Sequence, residues 1–530
     1  MDAAELAAAA ADVFAAEGGA EVVFGLPGGG NNLDLIAAVE GVGGRFVLAH
    51  TETAAACMAG AFAELTGTPA VCVVTRGPGA ASAINGTAQA WLDRQPLLVI
   101  TDTVPESELA RVPHQRLDQR SMFTPVTKWS ATLGVRDPSS TMRQAFRIAA
   151  APTPGPVHID FDPTSRSRFS PPAPSPFCKG TVSEARRHIA KSRRPVVLVG
   201  MAARSASASV RAAVRGTGIP VLQTYKGKGT VPESWPNCVG VLTGASIEAP
   251  VIEAADLVVA LGLDPVELIP GPWSYAAPVI SLSPWPTDNT YFRPAVELVG
   301  PLDELLADIA PIPDGWDRAF AAGAREIGRA ALLSAPGSKG LTPTSVVRTV
   351  RAAAPPGSLA TVDSGAHMFP VTSFWDAEEP ATFLASSGLA TMGFSVPAAV
   401  AAALAVPNRR TFCFIGDGGL GMVVAELETL ARLDLPITVV VFNDSTLSLI
   451  KLKQRATGHG GAAAVSYFPT DFAAIAEATG VTASRVRNEA DLDAAIRESI
   501  TGDGPALVDA VIADAGEYMH ILHAIRGGGG

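Results

Sequence analysis

Charged side chains are scarce in this sequence. Asp, Glu, Lys and Arg supply 17% of 530 residues while hydrophobic types reach 48%, so the chain can bury large cores and is not intrinsically disordered. Lysine is rarer still: 8 of 40 basic residues, set against 51 acidic ones for a net charge of −11. That deficit argues against a nucleic-acid binder working through a broad basic surface. The five cysteines (Cys57, Cys72, Cys178, Cys238 and Cys413) form no CxxC pair and mostly lie in apolar runs. They offer no disulfide framework and read as buried free thiols of a reducing compartment. Long hydrophobic runs are missing too. TFCFIG and ITVVVF are strand-length, far short of the roughly 20 residues a membrane span needs. The N-terminus has no basic n-region and carries Asp2, Glu5 and Asp12 among its alanines. It reads as an amphipathic helix ended by Gly18-Gly19, not a signal peptide. A soluble cytoplasmic protein is expected, with neither nucleic acid nor membrane as partner.

What is present is a rhythm: a short apolar run, a Gly/Asp/Ser-rich turn, then an Ala-rich helical stretch. EVVFGLPGGG, RFVLAH before TETAAACMAGAFAEL, and AVCVVT before RGPGAASAINGTAQAW all follow it. Such alternation predicts βαβ units and parallel sheets covered on both faces. At about 150 residues per domain the length suggests three or four domains. Proline and serine crowd SRSRFSPPAPSPFCKG, and PIPDG and SAPGSKG flank a helix-like stretch farther on; both read as linkers. The expected division is 1–165, a linker over 166–182, 183–312, a linker over 313–340, 341–515, and a tail over 516–530. Thr342 or Thr344 would cap the helix that opens the third segment.

The strongest local signal is TFCFIGDGGLGMVVAELETLARLDLPITVVVFNDSTLSLIK. One strand ends at Asp417 and the next, ITVVVF, delivers Asn443 and Asp444, the latter 27 residues after Asp417. Both acids thus emerge at carboxyl ends of neighbouring parallel strands, where open α/β sheets bind ligands. A carboxylate there, beside free helix N–H groups, suits a diphosphate bridged by a hard cation, with Gly418 and Gly419 letting the backbone approach the phosphate. Taken alone, GDG is also compatible with an Asp capping an ordinary βα turn.

GDG followed by an N-[ND] pair at that spacing resembles the thiamine diphosphate motif, and the resemblance recurs. Glu52 stands after a strand at a helix start, as the family's cofactor-activating glutamate does. TRGPG with Gly77-Pro78 resembles the (S/T)xGPG segment, GLATMGFSVPAAVAAALA the segment supporting the bent cofactor, and GLPGGGNNL the GxPG turn near substrate. With motifs in order along nearly the whole chain, it resembles thiamine diphosphate-dependent enzymes of the acetolactate synthase, pyruvate oxidase and benzoylformate decarboxylase group. The resemblance implies three doubly wound parallel-sheet α/β domains: pyrimidine-binding, central and diphosphate-binding.

By the same resemblance, Glu52 would hydrogen-bond the aminopyrimidine ring nitrogen so that the cofactor loses its C2 proton. Met392 would prop the cofactor into its bent shape, with the Ala390 carbonyl and Thr391 beside it. Mg²⁺ would take the Asp417 and Asp444 side chains and the Thr446 carbonyl. Many members have NN where this chain has Asn443-Asp444, and a second carboxylate remains a legitimate hard ligand. Gly365, His367, Gly416, Gly418, Gly419 and Leu447 complete the implied cofactor contacts; a packed or surface histidine is the alternative for His367. Glu52 and Asp417 of one site would come from different subunits of a homodimer or homotetramer, and EYMHILHAIRG could fold over the site.

Several positions set the chain apart from its relatives. Gly29 falls where pyruvate decarboxylases have Asp and benzoylformate decarboxylase has Ser; it leaves no proton-transfer group and opens room for a second substrate, unless it serves only a φ > 0 turn. His114-Gln115 combines the decarboxylases' His with the synthases' Gln, and His114 is either a proton shuttle or a polar loop residue. Lys453, one turn after Ile450, stands where acetolactate synthase has Trp; it would meet an anionic substrate group or simply be solvated. ALGLDPVELIPGPW and VISLSPWPTDN lack the FDDR-like turn and late acidic residue of flavin-binding members, so FAD is not expected. The expected reaction is decarboxylation of a 2-oxo acid with ligation to an acceptor carbonyl. The alternatives are a simple decarboxylase, an acyl-CoA or anionic-substrate lyase or acyltransferase, and a silent cofactor-binding homologue.

Overall fold

Strands of three to seven residues alternate with helices throughout the computed structural model, which describes residues 2–526 except 20, 106–107, 109–110, 167–179, 245–246, 269–272, 288–290, 334–339, 459 and 514. Cys178, most of the first linker (167–179) and the terminal glycines fall on undescribed residues, and Val182 at the linker's end already begins a helix; the other four cysteines are buried free thiols. Eighteen strands build three six-stranded sheets in which every described pairing is parallel. Strands such as Pro195–Val199 and Leu257–Leu261 are buried along their whole length, as parallel strands covered on both faces must be.

The chain divides into two compact units, Met1–Ser175 with Gly388–Asn408 and Val423–Leu435, and Pro176–Ser387 with Arg409–Met422 and Pro436–Gly530. The first holds β1 (Val22–Leu26), β2 (Arg45–Leu48), β3 (Ala70–Val74), β4 (Leu97–Asp102), β5 (Trp129–Leu133) and β6 (Val157–Phe161), in the order β2-β1-β3-β4-β6-β5. Its opening helix Ala3–Ala16 carries a capping box between Asp2 and Glu5. Helices Glu52–Thr66 and Pro78–Leu92 pack closely because small residues face each other: a Cβ on Gly86 would lie 2.6 Å from Ala56 Cβ. The Ala-rich helix Ser395–Ala405 packs against Glu52–Thr66 in the same unit.

The second unit holds two sheets. One runs through β7 (Pro195–Val199), β8 (Val221–Gln223), β9 (Cys238–Val241), β10 (Leu257–Leu261), β11 (Val279–Ser283) and β12 (Val296–Val299), ordered β12-β11-β10-β7-β8-β9. The other contains β13 (Leu359–Val362), β14 (Phe383–Ala385), β15 (Thr411–Gly416), β16 (Ile437–Asn443), β17 (Thr482–Val486) and β18 (Ala506–Val511), ordered β14-β13-β15-β16-β18-β17. A buried ion pair joins them: Lys228 Nζ lies 2.7 Å from Glu233 Oε2 and donates to the Thr372 carbonyl. Of the two candidate caps, Thr342 is the one that caps Pro343–Ala353, accepting from Ser345 N at 3.2 Å. The C-terminal segment Gly516–Arg526 is a helix whose Tyr518, Ile521 and Leu522 pack with Phe369 and Leu452, and Glu517 accepts from Thr344 N. No helix among the described residues is long and apolar enough to cross a membrane.

Candidate active site

In the first unit, chemistry-bearing residues gather at the carboxyl ends of β1, β2 and β3. Thr51 caps helix Glu52–Thr66 by accepting from Ala54 N, leaving Glu52 as its first, half-buried residue. Glu52 Oε1 stands 3.1 Å from where a Gly79 Cβ would be, so the glycine lets the carboxylate rest closely against the first turn of Pro78–Leu92. Gly77 sits at φ +66°, donates its N–H to Gln119 Oε1 at 2.9 Å, and leaves no room for a Cβ beside the Gln115 carbonyl. Gln115 itself has φ 56°, and both His114 and Gln115 are exposed. In GLPGGG, a Cβ on Gly28 would strike Thr75 and one on Gly30 would strike Asp102, whereas one on Gly29 would meet nothing within 4 Å. Gly29 is not left-handed either, so a turn requirement does not explain it.

Two buried carboxylates that the sequence left unremarked brace this half. Glu426 Oε1 accepts from His50 N at 2.9 Å and Thr51 N at 3.3 Å, gripping the chain just before Glu52. Asp93 accepts from Gly388 N at 2.8 Å, at the entry to the GLATMGF segment. There Ala390 is exposed with φ 54°, a conformation that L side chains seldom adopt and that is commonly retained at functional sites. Thr391 is buried and Met392 half-buried.

In the second unit, β13, β15 and β16 end side by side. The helix after β15 begins at Asp417 itself and stops at Val423, before a separate helix Glu426–Arg432. Asp417 accepts from Gly418 N at 2.6 Å and from Asp444 N at 3.2 Å. Asp444 accepts from Thr446 N at 3.1 Å and from the Ser448 hydroxyl. Burial, with the Asp444 charge beside it, pushes the Asp417 carboxyl up to about 6, and burial raises Asp444 as well. Asn443 turns away to donate to Asp509 Oδ1 and the Thr470 carbonyl, so Asp444 is the member of the pair that faces Asp417. Leu447 caps helix Ser448–Thr457 without a side-chain bond. Along it Lys453 is exposed, like Ile450, and it is Lys451 whose charge acts on Asp444.

Beyond Asp363, His367 is 4% exposed, stacked on Phe442, and held neutral by burial, with its pKa pushed down to about 3. Its Nε2 and the Ser364 hydroxyl are buried without a hydrogen-bond partner among the described residues. A Cβ on Gly365 or Gly416 would crowd the His367 ring, and one on Gly419 would strike Asp363. The corner therefore combines buried polar atoms without partners among the described residues, close-approach glycines and a carboxylate pair, a donor set that fits a diphosphate with a divalent ion. Among the described residues no cluster of three or more His, Cys, Asp or Glu forms an all-protein metal cage. Mg²⁺ needs none, since it is held by one or two carboxylates together with phosphates and water.

Sequence comparisons agree with this geometry. Profiles of the thiamine pyrophosphate (thiamine diphosphate) enzymes match as the N-terminal TPP binding domain over residues 4–122, the central domain over 182–309 and the C-terminal TPP binding domain over 363–510. The chain belongs to the thiamine pyrophosphate enzymes. It is 29% identical to the large subunit of acetolactate synthase isozyme 1 from Escherichia coli, covering 96% of this chain and 94% of that one. The acetolactate synthase large subunit of Parasynechococcus marenigrum is 30% identical, with 93% and 85% covered. The fold matches a thiamine diphosphate-dependent 4-hydroxybenzoylformate decarboxylase from Rhodococcus jostii with a TM-score of 0.81 at 22% identity, over 97% and 99% of the two chains. The resemblance carried by the motifs is thus established, and the three parallel-sheet domains are those of a thiamine diphosphate-dependent transferase or lyase.

The central sheet has its own switch point, between β7 and β10, where doubly wound folds receive ligands. Glu267 is buried there, accepting from Met201 N at 2.9 Å, Asp264 N at 3.1 Å and the Thr224 hydroxyl at 2.5 Å, and burial pushes its pKa up to about 7. One carboxylate thus accepts main-chain N–H groups that follow both β7 and β10.

Replacing Glu426 by Ala leaves two main-chain N–H groups ahead of Glu52 unmet. That should cost about 1–3 kcal/mol in urea unfolding, whereas Glu426→Gln, which keeps an acceptor, should retain most of the stability. Equal losses in the two variants would show that the bracing acceptor does not matter.

Proposed function

We propose that this enzyme decarboxylates a 2-oxo acid and joins the remaining acyl unit to an acceptor carbonyl, as an acetolactate synthase-like carboligase. The observation that carries the reading is Gly29: its Cα faces open space, in a loop whose neighbouring Gly28 touches Thr75, which in turn lies against Gly79 beside Glu52. A position without a side chain there supplies no acid to quench a carbanion and leaves volume for a second substrate.

When bound, thiamine diphosphate makes the acyl carbon nucleophilic after CO₂ leaves. The protein's part is binding, orientation and proton placement. Glu52 would share a proton with the pyrimidine ring nitrogen. Gly77 and Pro78, the Ala390 carbonyl, Thr391 and Met392 would shape the bend of the cofactor. Asp417, Asp444 and the Thr446 carbonyl would hold Mg²⁺. The Ser364 hydroxyl and His367 Nε2 would donate to phosphate oxygens, with Gly365, Gly416, Gly418 and Gly419 permitting close approach and Leu447 closing the turn. His114 and Gln115, exposed in their loop, and Lys453 on its solvent-facing helix side would meet the acceptor, Lys453 through an anionic group. Glu267 in the central crevice supports a reading without FAD.

Each unit carries exposed apolar residues next to its motif residues, Leu33, Leu117 and Leu389 in the first and Met422, Ile450 and Phe468 in the second. These support burial in a homodimer or homotetramer, with Glu52 and Asp417 of each site coming from different subunits.

With thiamine diphosphate, Mg²⁺ and a panel of 2-oxo acids, CO₂ release should rise on adding an acceptor aldehyde, and mass spectrometry should find an α-hydroxy ketone. Gly29→Ser should shift product toward free aldehyde; acceptor-independent CO₂ with free aldehyde in the wild type would instead make it a plain decarboxylase. The subunit arrangement is testable by mixing. Glu52→Gln and Asp417→Asn chains, each inactive, should regain roughly a quarter of wild-type turnover when unfolded and refolded together, because half the dimers then hold one intact site. No recovery would place both residues of a site in one chain.

A further inference from the structure

The second unit contains a cavity of about 670 Å³ that none of the reaction residues lines. Its walls are the β8–β9 edge of the central sheet, the helix Phe320–Leu332, the last turns of the helices Met368–Phe374 and Gly516–Arg526, and the segment around Ile247. Most of the lining is apolar, with Val239, Val241, Ile247 and Phe320 contributing, and the volume suits a small organic molecule.

Two independent features mark it as built to hold something. The first is Tyr225, whose side chain is 4% exposed and whose hydroxyl has no hydrogen-bond partner among the described residues. A buried hydroxyl is rarely left unmet without reason. The second is Gly323, in the interior of the 13-residue helix Phe320–Leu332, where glycine is disfavoured. A Cβ there would meet nothing within 4 Å, and one on Gly328 would meet only the Ile247 side chain at 3.8 Å. The helix gives up stability, and no described residue fills the space it leaves.

The other polar groups in the lining are committed. Glu248 accepts from Thr243 N at 2.8 Å and Gly244 N at 2.6 Å. Glu233 is paired with Lys228, and Arg329 with Asp376. Arg325 donates to the main-chain carbonyls of Glu233 and Trp235. The Glu248 charge also reaches the Tyr225 hydroxyl, which disfavours a second negative charge beside it.

We propose that this cavity is a binding site for a neutral, largely apolar small molecule that presents one oxygen acceptor to the Tyr225 hydroxyl. The helices that bear His367 at the start of one and Tyr518 in the other also form its walls, so the site is separate from the acid pair yet shares supports with it.

Fluorescence titration with 2-naphthol as the probe tests this on the intact protein, without reference to turnover. Binding should be saturable in the wild type, roughly tenfold weaker in Tyr225→Phe, which keeps the ring and removes only the donor, and lost in Gly323→Phe, which fills the space. Should Gly323→Phe fail to fold by circular dichroism, Tyr225→Phe still decides. Absence of saturable binding, or equal affinity in the wild type and Tyr225→Phe, would overturn the site; 2-naphthoate binding as tightly as 2-naphthol would overturn the neutral class.

Discussion

The buried Asp417 and the half-buried Asp444 face each other, and the carboxyl-end corner of the third sheet is arranged around that acid pair. Asp417 and Asp444 come from the ends of adjacent strands, so the sheet register itself fixes their separation. Hydrogen bonds from Gly418, Asp444 and Thr446 N–H groups and from the Ser448 hydroxyl lessen the cost of burying the charge but do not remove it, and Asp417 is held up at about 6. Within the protein, Lys451 is the positive group that acts on the pair, through Asp444. Taking charge out of water is costly unless something compensates it, which a divalent ion at the pair would do. His367 Nε2 and the Ser364 hydroxyl lie in the same unit, buried without a hydrogen-bond partner among the described residues, and would suit phosphate oxygens.

The first unit solves a different problem, fixing the backbone around one carboxylate. Glu52 begins a helix whose preceding N–H groups are tied to Glu426, and its Oε1 lies close to Gly79, where a Cβ would crowd it and Thr75. Behind that turn Gln119 is a relay: its amide oxygen accepts from Gly77 N, while its NH₂ donates to Asp160 Oδ1 at 2.7 Å and to the Asp102 carbonyl. Rigid support of this kind is what positions a reacting group within a fraction of an ångström. Elsewhere in the same unit the furnishing is sparse: a Cβ on Gly29 would meet nothing within 4 Å, and His114 and Gln115 are exposed.

The sequence spoke most clearly where chemistry dictates local spacing. Alternation of apolar runs with Ala-rich stretches indicated parallel sheets, and the GDG and Asn-Asp spacing brought Asp417 and Asp444 to neighbouring strand ends. What stayed hidden depends on partners far along the chain. Glu426 looks like one more acid in an amphipathic helix, and only its contact with residues 50 and 51 reveals its work. Asp93 and Gln119 are silent for the same reason. The left-handed Ala390 is invisible because alanine carries no signal for that conformation, and that the Lys451 charge acts on Asp444 shows only in the fold. In the central domain the missing FDDR-like turn could be read, but that Glu267 accepts from main-chain groups after both β7 and β10 could not, since a lone Glu after Asp-Pro reads as an ordinary cap.

The central claim is that the acid pair is completed by a divalent ion that carries the cofactor's diphosphate. Calorimetric titration of thiamine diphosphate at pH 7.5, with Mg²⁺ or with chelator, tests it in the wild type and Asp417→Asn. The account predicts that Mg²⁺ strengthens wild-type binding by on the order of a hundredfold, that Asp417→Asn loses this gain, and that the gain shrinks as pH falls through about 6, where Asp417 takes up its proton. Equal wild-type affinity with and without the ion would contradict it.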